Sequence, residues 1–252
     1  LFDYLIISAG KLQAQGGAYV LGLMWSPGVA GILTQLIFHR SLGGLGWKPG
    51  KLRWLLWSIG LPLLYSLAAY MLIWFAGWGR FAPQGIVNQI AREYGIFADS
   101  PVLPVAVYVL ITVLIGIPVN SFAALGEEIG WRGLLVPELQ TATGSFTKTA
   151  LLSGLIWAVW HYPNILIADY HNSGAPTWYA LLCFTGMVVA LSVILAWLRL
   201  KSGSLWTAVL LHASHNLFIQ AIFTPLTADS GKTAYFIDEF GIVLPVMITL
   251  AA

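Results

Sequence analysis

Long apolar runs separated by short polar connections organise this chain. The runs cover Ala18 to Phe38, Trp54 to Trp78, Val105 to Leu125, Thr149 to Ile167, Trp178 to Leu198 and Leu205 to Phe223. Each approaches the ~20 residues that a helix needs to cross a hydrocarbon core. A seventh run begins near Phe240 and stops at Ala252, so it is either cut or re-entrant. The pattern predicts an all-α fold, a polytopic membrane helical bundle of about seven to eight transmembrane helices. No connection is long enough for a soluble domain, so residues 1–252 are expected to form a single membrane-embedded domain with its core at about 105–223. The opening Leu1 to Ser8 is short, contains Asp3 and lacks a basic start, unlike a cleavable signal peptide. Val105 to Val136 as one straight helix would be about 48 Å long at 1.5 Å per residue. Gly116 and Pro118 are the expected kink, leaving Asn120 to Val136 as a second helical piece.

Composition agrees with a membrane setting. Of 252 residues, 58% are hydrophobic and 9% charged, where soluble domains carry roughly 25% charged residues. The net charge of +2 and the lack of a Lys/Arg-rich run argue against a nucleic-acid partner. Cys183 stands alone, which excludes an intrachain disulfide and a cysteine-based metal site. Arg40, Lys48, Lys51, Arg53, Arg132, Lys148, Arg199 and Lys201 fall on one side of the membrane, against Lys11, Arg80, Arg92 and Lys232 on the other. The positive-inside bias puts the first group in the cytoplasm. Compact loops suggest a prokaryotic cell membrane.

Charge within such runs is expensive, about 2.5 to 3.5 kcal/mol per central residue on insertion scales, and marks function by default. The segment Gly126-Glu127-Glu128-Ile129-Gly130-Trp131-Arg132 ends the third run. Glu128 and Arg132 are four apart and can pair on one helix face, whereas Glu127 points about 100° away. An acid without a local partner in a low-dielectric site suits a general base; the bland alternative is a pair of solvated acids at a helix end. His161 shares a face with Trp157 and lies near Asn164, placed to partner an acid or to bond a neighbouring carbonyl. Trp157 and Trp160 read as packing or interface residues. His212 and Asn216, again four apart, can present two donors to a developing oxyanion or tie helices together. His215 reads as a packing contact, and His39 and His171 as loop residues.

Together these segments resemble the CPBP family, the type II CAAX prenyl endopeptidases and bacteriocin-processing enzymes, also described as glutamate intramembrane proteases. The family's EExxxR is met by Glu127, Glu128 and Arg132, its FxxxH by His161 with Trp157 in place of Phe, and its HxxxN by His212 and Asn216. The resemblance covers roughly Leu125 to Ile219. It implies an intramembrane endopeptidase without metal or other cofactor, acting on a protein or peptide substrate near its C-terminus, prenylated or not. Glu127 and His161 would activate a water, His212 and Asn216 would stabilise the oxyanion, and Glu128, Arg132 and Asn164 would support the site. The residues leave other readings open: Glu127 or Glu128 with His161 and His212 offers three ligands to zinc. A non-catalytic immunity or scaffold protein and a proton-coupled transporter also fit.

Overall fold

The computed structural model describes residues 16–97, 99–167, 170 and 174–252. The helices are α1 (Gly16–His39), α2 (Leu52–Phe75), α3 (Gln84–Tyr94), α4 (Val102–Glu128), α5 (Val136–Thr143), α6 (Phe146–Ile167), α7 (Thr177–Ser202), α8 (Leu205–Asn216) and α9 (Val243–Ala251). Two π-helical segments, Ile129–Leu135 and Leu217–Phe223, continue α4 and α8 respectively. A two-residue antiparallel ladder joins β1 (Arg80–Phe81) to β2 (Thr227–Ala228). The molecule is an all-α membrane bundle. Among the described residues, the expected runs become five helices long and apolar enough to cross a membrane, the unit of α8 with its π segment, and the nine-residue α9. His171 and the opening Leu1 to Ser8 lie outside the described residues.

Burial sorts the helices into wall and core. α8 is buried on nearly every face, with Leu205, Ala208, Val209, Leu211 and Ala213 inaccessible. A helix buried on every face, its polar residues included, belongs inside a bundle. Its start is fixed by Ser204, whose Oγ accepts the Trp206 backbone N–H at 3.2 Å. α7 lies inside as well, burying Leu191, Leu195 and Leu198. Gly154 lets α6 approach it, since a methyl there would stand 2.9 Å from Val189 Cα. α4 instead turns Leu110, Leu114, Ile115, Val119 and Phe122 outward. Exposed apolar surface on this scale is what a lipid-facing wall requires.

One element was not predicted and one expectation is corrected. The connection from Gly79 to Pro104 contains α3, which buries Ile86 and Ile90 one turn apart; a search for long apolar runs passes over so short an amphipathic helix. The break in the third run does not fall at Pro118. α4 continues through it, although the proline lacks the N–H that would bond the Leu114 carbonyl; Asn120 Nδ2 adds a side-chain bond to the Gly116 carbonyl at 2.9 Å. The departure from α-geometry comes at Ile129–Leu135, directly after the two acids.

Small residues let α1 close on that segment. A methyl on Gly130 would lie 2.5 Å from the Pro27 carbonyl oxygen, and one on Gly126 2.6 Å from Trp25 Cγ. Gly126 and Gly130 are spaced as GxxxG, a pattern that lets membrane helices approach backbone to backbone. The two glycines pack against α1, and the acids between them turn to the interior.

Candidate active site

Each polar segment singled out in the sequence contributes to one internal cavity of about 290 Å³. The end of α4 supplies Glu127, α6 supplies Trp157, His161 and Asn164, and α8 supplies His212, His215 and Asn216. α1 and α7 close it with apolar side chains, among them Leu23, Met24, Phe184 and Leu191. The seven candidate residues separate into two layers: Glu127, His161, Asn164, His212 and Asn216 face the cavity, while Glu128 and Arg132 stand behind it.

The two adjacent acids have different surroundings. Glu128 is fully buried; its Oε1 accepts from Arg132 Nη1 at 2.9 Å and meets His212 Nδ1, also at 2.9 Å. Arg132, equally buried, donates from Nη2 to Ser192 Oγ at 3.0 Å and lies 4.1 Å over the Trp157 ring. Its backbone carbonyl accepts from Arg199 Nε at 3.0 Å. The expected Glu128–Arg132 pair thus forms and reaches on to His212. A pair this deep carries a large desolvation cost, which the additional bonds offset.

Glu127 was expected to lack a local partner, yet its Oε2 accepts two indole N–H groups, from Trp157 at 2.7 Å and from Trp131 at 3.3 Å. Trp131 is the residue four positions on, and the tryptophans supply hydrogen bonds without a compensating charge. Trp157 therefore does more than pack. Its indole holds Glu127, its backbone carbonyl faces His161 Nδ1 at 2.9 Å, and its ring lies 5.2 Å from that of His212. With Nδ1 donating to that carbonyl, neutral His161 keeps Nε2 as an acceptor. The Trp160 and Phe184 rings pack against the imidazole at 4.8 and 5.0 Å.

His215 is not a simple packing contact. Its Nδ1 is 2.7 Å from Tyr65 Oη, its Nε2 is 3.6 Å from Glu239 Oε1, and it lines the cavity. Sequence reasoning missed Glu239, Gln220, Tyr170, Trp131 and Ser192. Glu239 lies in a polar connection that looked like an ordinary loop, and nothing in its spacing points to the cavity; Trp131 could have been found from its four-residue separation from Glu127. Among the described residues no three His, Cys, Asp or Glu side chains converge as a metal-binding group. His39 pairs with Glu138 at 3.3 Å on the exposed surface.

Comparison with known proteins falls on the same part of the chain. Residues 101–218 match the family described as Type II CAAX prenyl endopeptidase Rce1-like. A curated protein of Methanococcus maripaludis, CAAX prenyl protease 2, is 28% identical over 137 residues, which cover 53% of this chain and 46% of that protein. The chain thus spans less than half the length of this relative. The matched region contains Glu127, Glu128, Arg132, His161, His212 and Asn216, so the part of the chain that carries the site is similar to the type II CAAX prenyl endopeptidases.

Proposed function

We propose that this chain is an intramembrane CAAX-type endopeptidase that hydrolyses a peptide bond near the C-terminus of a protein or peptide, with Glu127 and His161 activating the attacking water. The observation that carries the reading is the convergence of Glu127, His161, His212 and Asn216 on one cavity, with Glu128 and Arg132 withdrawn behind it. Glu127 takes a proton from water as the oxygen attacks the carbonyl carbon, and His161 Nε2 accepts a hydrogen bond from the same water. His212 and Asn216 donate to the oxyanion that forms. Glu128 faces His212 Nδ1 and so balances a protonated ring, whose Nε2–H is then the donor. Collapse of the tetrahedral intermediate breaks the C–N bond, and the proton held by Glu127 passes to the departing amine.

The Lys/Arg distribution supports a site toward the cytoplasmic side, and the compact loops support a prokaryotic membrane; cysteine-accessibility labelling of the loops checks the orientation. The activity test is cleavage of a quenched C-terminal CAAX-type peptide panel, prenylated and not, by purified wild type and Glu127→Gln, with and without chelator. Chelator-resistant cleavage lost in Glu127→Gln is the expected result. Cleavage abolished by chelator and restored by zinc would replace the mechanism with a metallopeptidase one, and full activity of Glu127→Gln would remove the assigned base. Comparison of the prenylated and plain peptides decides whether the lipid is required.

A further inference from the structure

The cavity has a second polar end that the proposed hydrolysis does not use. Glu239, from the connection between the second π segment and α9, is buried and lines the cavity together with His161. Its Oε1 accepts from Gln220 Nε2 at 2.9 Å and stands 3.6 Å from His215 Nε2, while its Oε2 accepts from Tyr170 Oη at 3.4 Å. Among the described residues no Lys or Arg lies within ion-pair distance of it. Burial pushes its carboxyl group up, but His215 and Gln220 more than offset this and hold it below the usual range. Its one ion-pair partner among the described residues is the His215 imidazole at 3.6 Å, beyond hydrogen-bond reach, so a permanent cation would compensate a buried carboxylate better.

A second unpaired acceptor belongs to a lining residue. Asn164 lines the cavity and is 4% exposed, and its Oδ1 has no hydrogen-bond partner among the described residues. Buried acceptors are seldom left unpaired, and one that faces a cavity is suited to a donor on a ligand. Tyr170 links the two residues: its backbone N–H donates to the Asn164 backbone carbonyl at 3.2 Å and its hydroxyl to Glu239. The Tyr170 and Phe184 rings line this end, and aromatic faces attract cations.

We infer that Glu239 and Asn164 form a subsite for a basic side chain of the substrate, an ammonium or guanidinium group next to the scissile bond. The inference rests on the endopeptidase reading for its substrate, but the binding preference it predicts can be measured without catalysis. An ammonium seated there donates to Glu239 and to Asn164 Oδ1, supplying a permanent positive charge and the missing hydrogen bond.

The test uses the full chain and peptides that differ at a single residue flanking the scissile bond: lysine, arginine, norleucine or glutamine. Wild type is expected to give kcat/KM about tenfold or more higher for lysine or arginine than for norleucine, as suits a charge-assisted hydrogen bond in a buried site. In the isosteric Glu239→Gln that ratio is expected to fall toward one. A second variant, Asn164→Asp, adds an acid beside the first and is expected to raise the ratio, so the subsite stays testable if Glu239→Gln does not fold. The same peptides, fluorescently labelled, are bound to the Glu127→Gln variant. A lysine preference in binding with no cleavage by wild type would overturn the endopeptidase reading and leave the subsite standing. Equal binding of lysine and norleucine peptides, or a preference that survives Glu239→Gln, overturns the subsite.

Discussion

Trp157→Phe tests how the proposed base is held. The family motif has phenylalanine at this position, so the substitution keeps an aromatic ring under Arg132 but removes the indole N–H that reaches Glu127 Oε2 at 2.7 Å. A hydrogen bond to a charged group contributes about 1.5–3 kcal/mol. The longer Trp131 bond, at 3.3 Å, remains to support the carboxylate, which puts the expected loss near the lower end. At 1.36 kcal/mol per decade, kcat falls about tenfold, and KM changes less, because the bond that is lost is made to the proposed base. The assay is steady-state cleavage of the peptide the wild type prefers, in detergent or lipid nanodiscs, beside thermal unfolding of both proteins. A spectroscopic arm follows the Trp157 indole N–H resonance, which should shift on Glu127→Gln because a neutral amide is a weaker acceptor than a carboxylate. Wild-type kcat in Trp157→Phe, together with an indole resonance indifferent to Glu127→Gln, would refute the reasoning.

Arg132→Met leaves Glu128 buried without its cation and should destabilise the protein by about 3–5 kcal/mol, read as a lowered unfolding midpoint; a variant as stable as wild type would show that His212 alone balances the acid. Gly130→Val drives a branched side chain into the Pro27 carbonyl and should loosen α1, read as faster hydrogen exchange in α1 and at Ile129–Leu135; unchanged protection would argue against the close approach. Asp238, in the connection before α9, has its carboxyl pushed up to about 7 by burial and then by the neighbouring Glu239. An acid that holds its proton more tightly folded than unfolded stabilises fully below its ordinary pKa of about 4, and loses that contribution as pH rises through about 7. The unfolding midpoint of wild type should therefore drop more between pH 5 and 8 than that of Asp238→Asn, a residue that tolerates the left-handed backbone at φ 62°; parallel profiles would contradict this.

The membrane class, the positions of the long helices and the Glu127, Glu128, Arg132, His161, His212 and Asn216 constellation were legible in the sequence, because hydropathy over some twenty residues and separations of four along a helix are local properties. Local spacing also anticipated the Glu128–Arg132 pair. It could not place the departure from α-geometry after Glu128 rather than at Pro118, since that depends on what packs against each segment: α1 closes on Gly126 and Gly130. Nor could spacing separate the roles of adjacent acids completely. Glu127 acquires its shorter hydrogen bond from Trp157, thirty residues away, and Glu128 reaches His212 across 84. Glu239 is the clearest case. On the sequence it is one acid in a polar loop; only the folding of that loop over the cavity brings it to His215, Gln220 and Tyr170. Contacts between distant segments follow from how helices pack, and no periodicity within one segment encodes them.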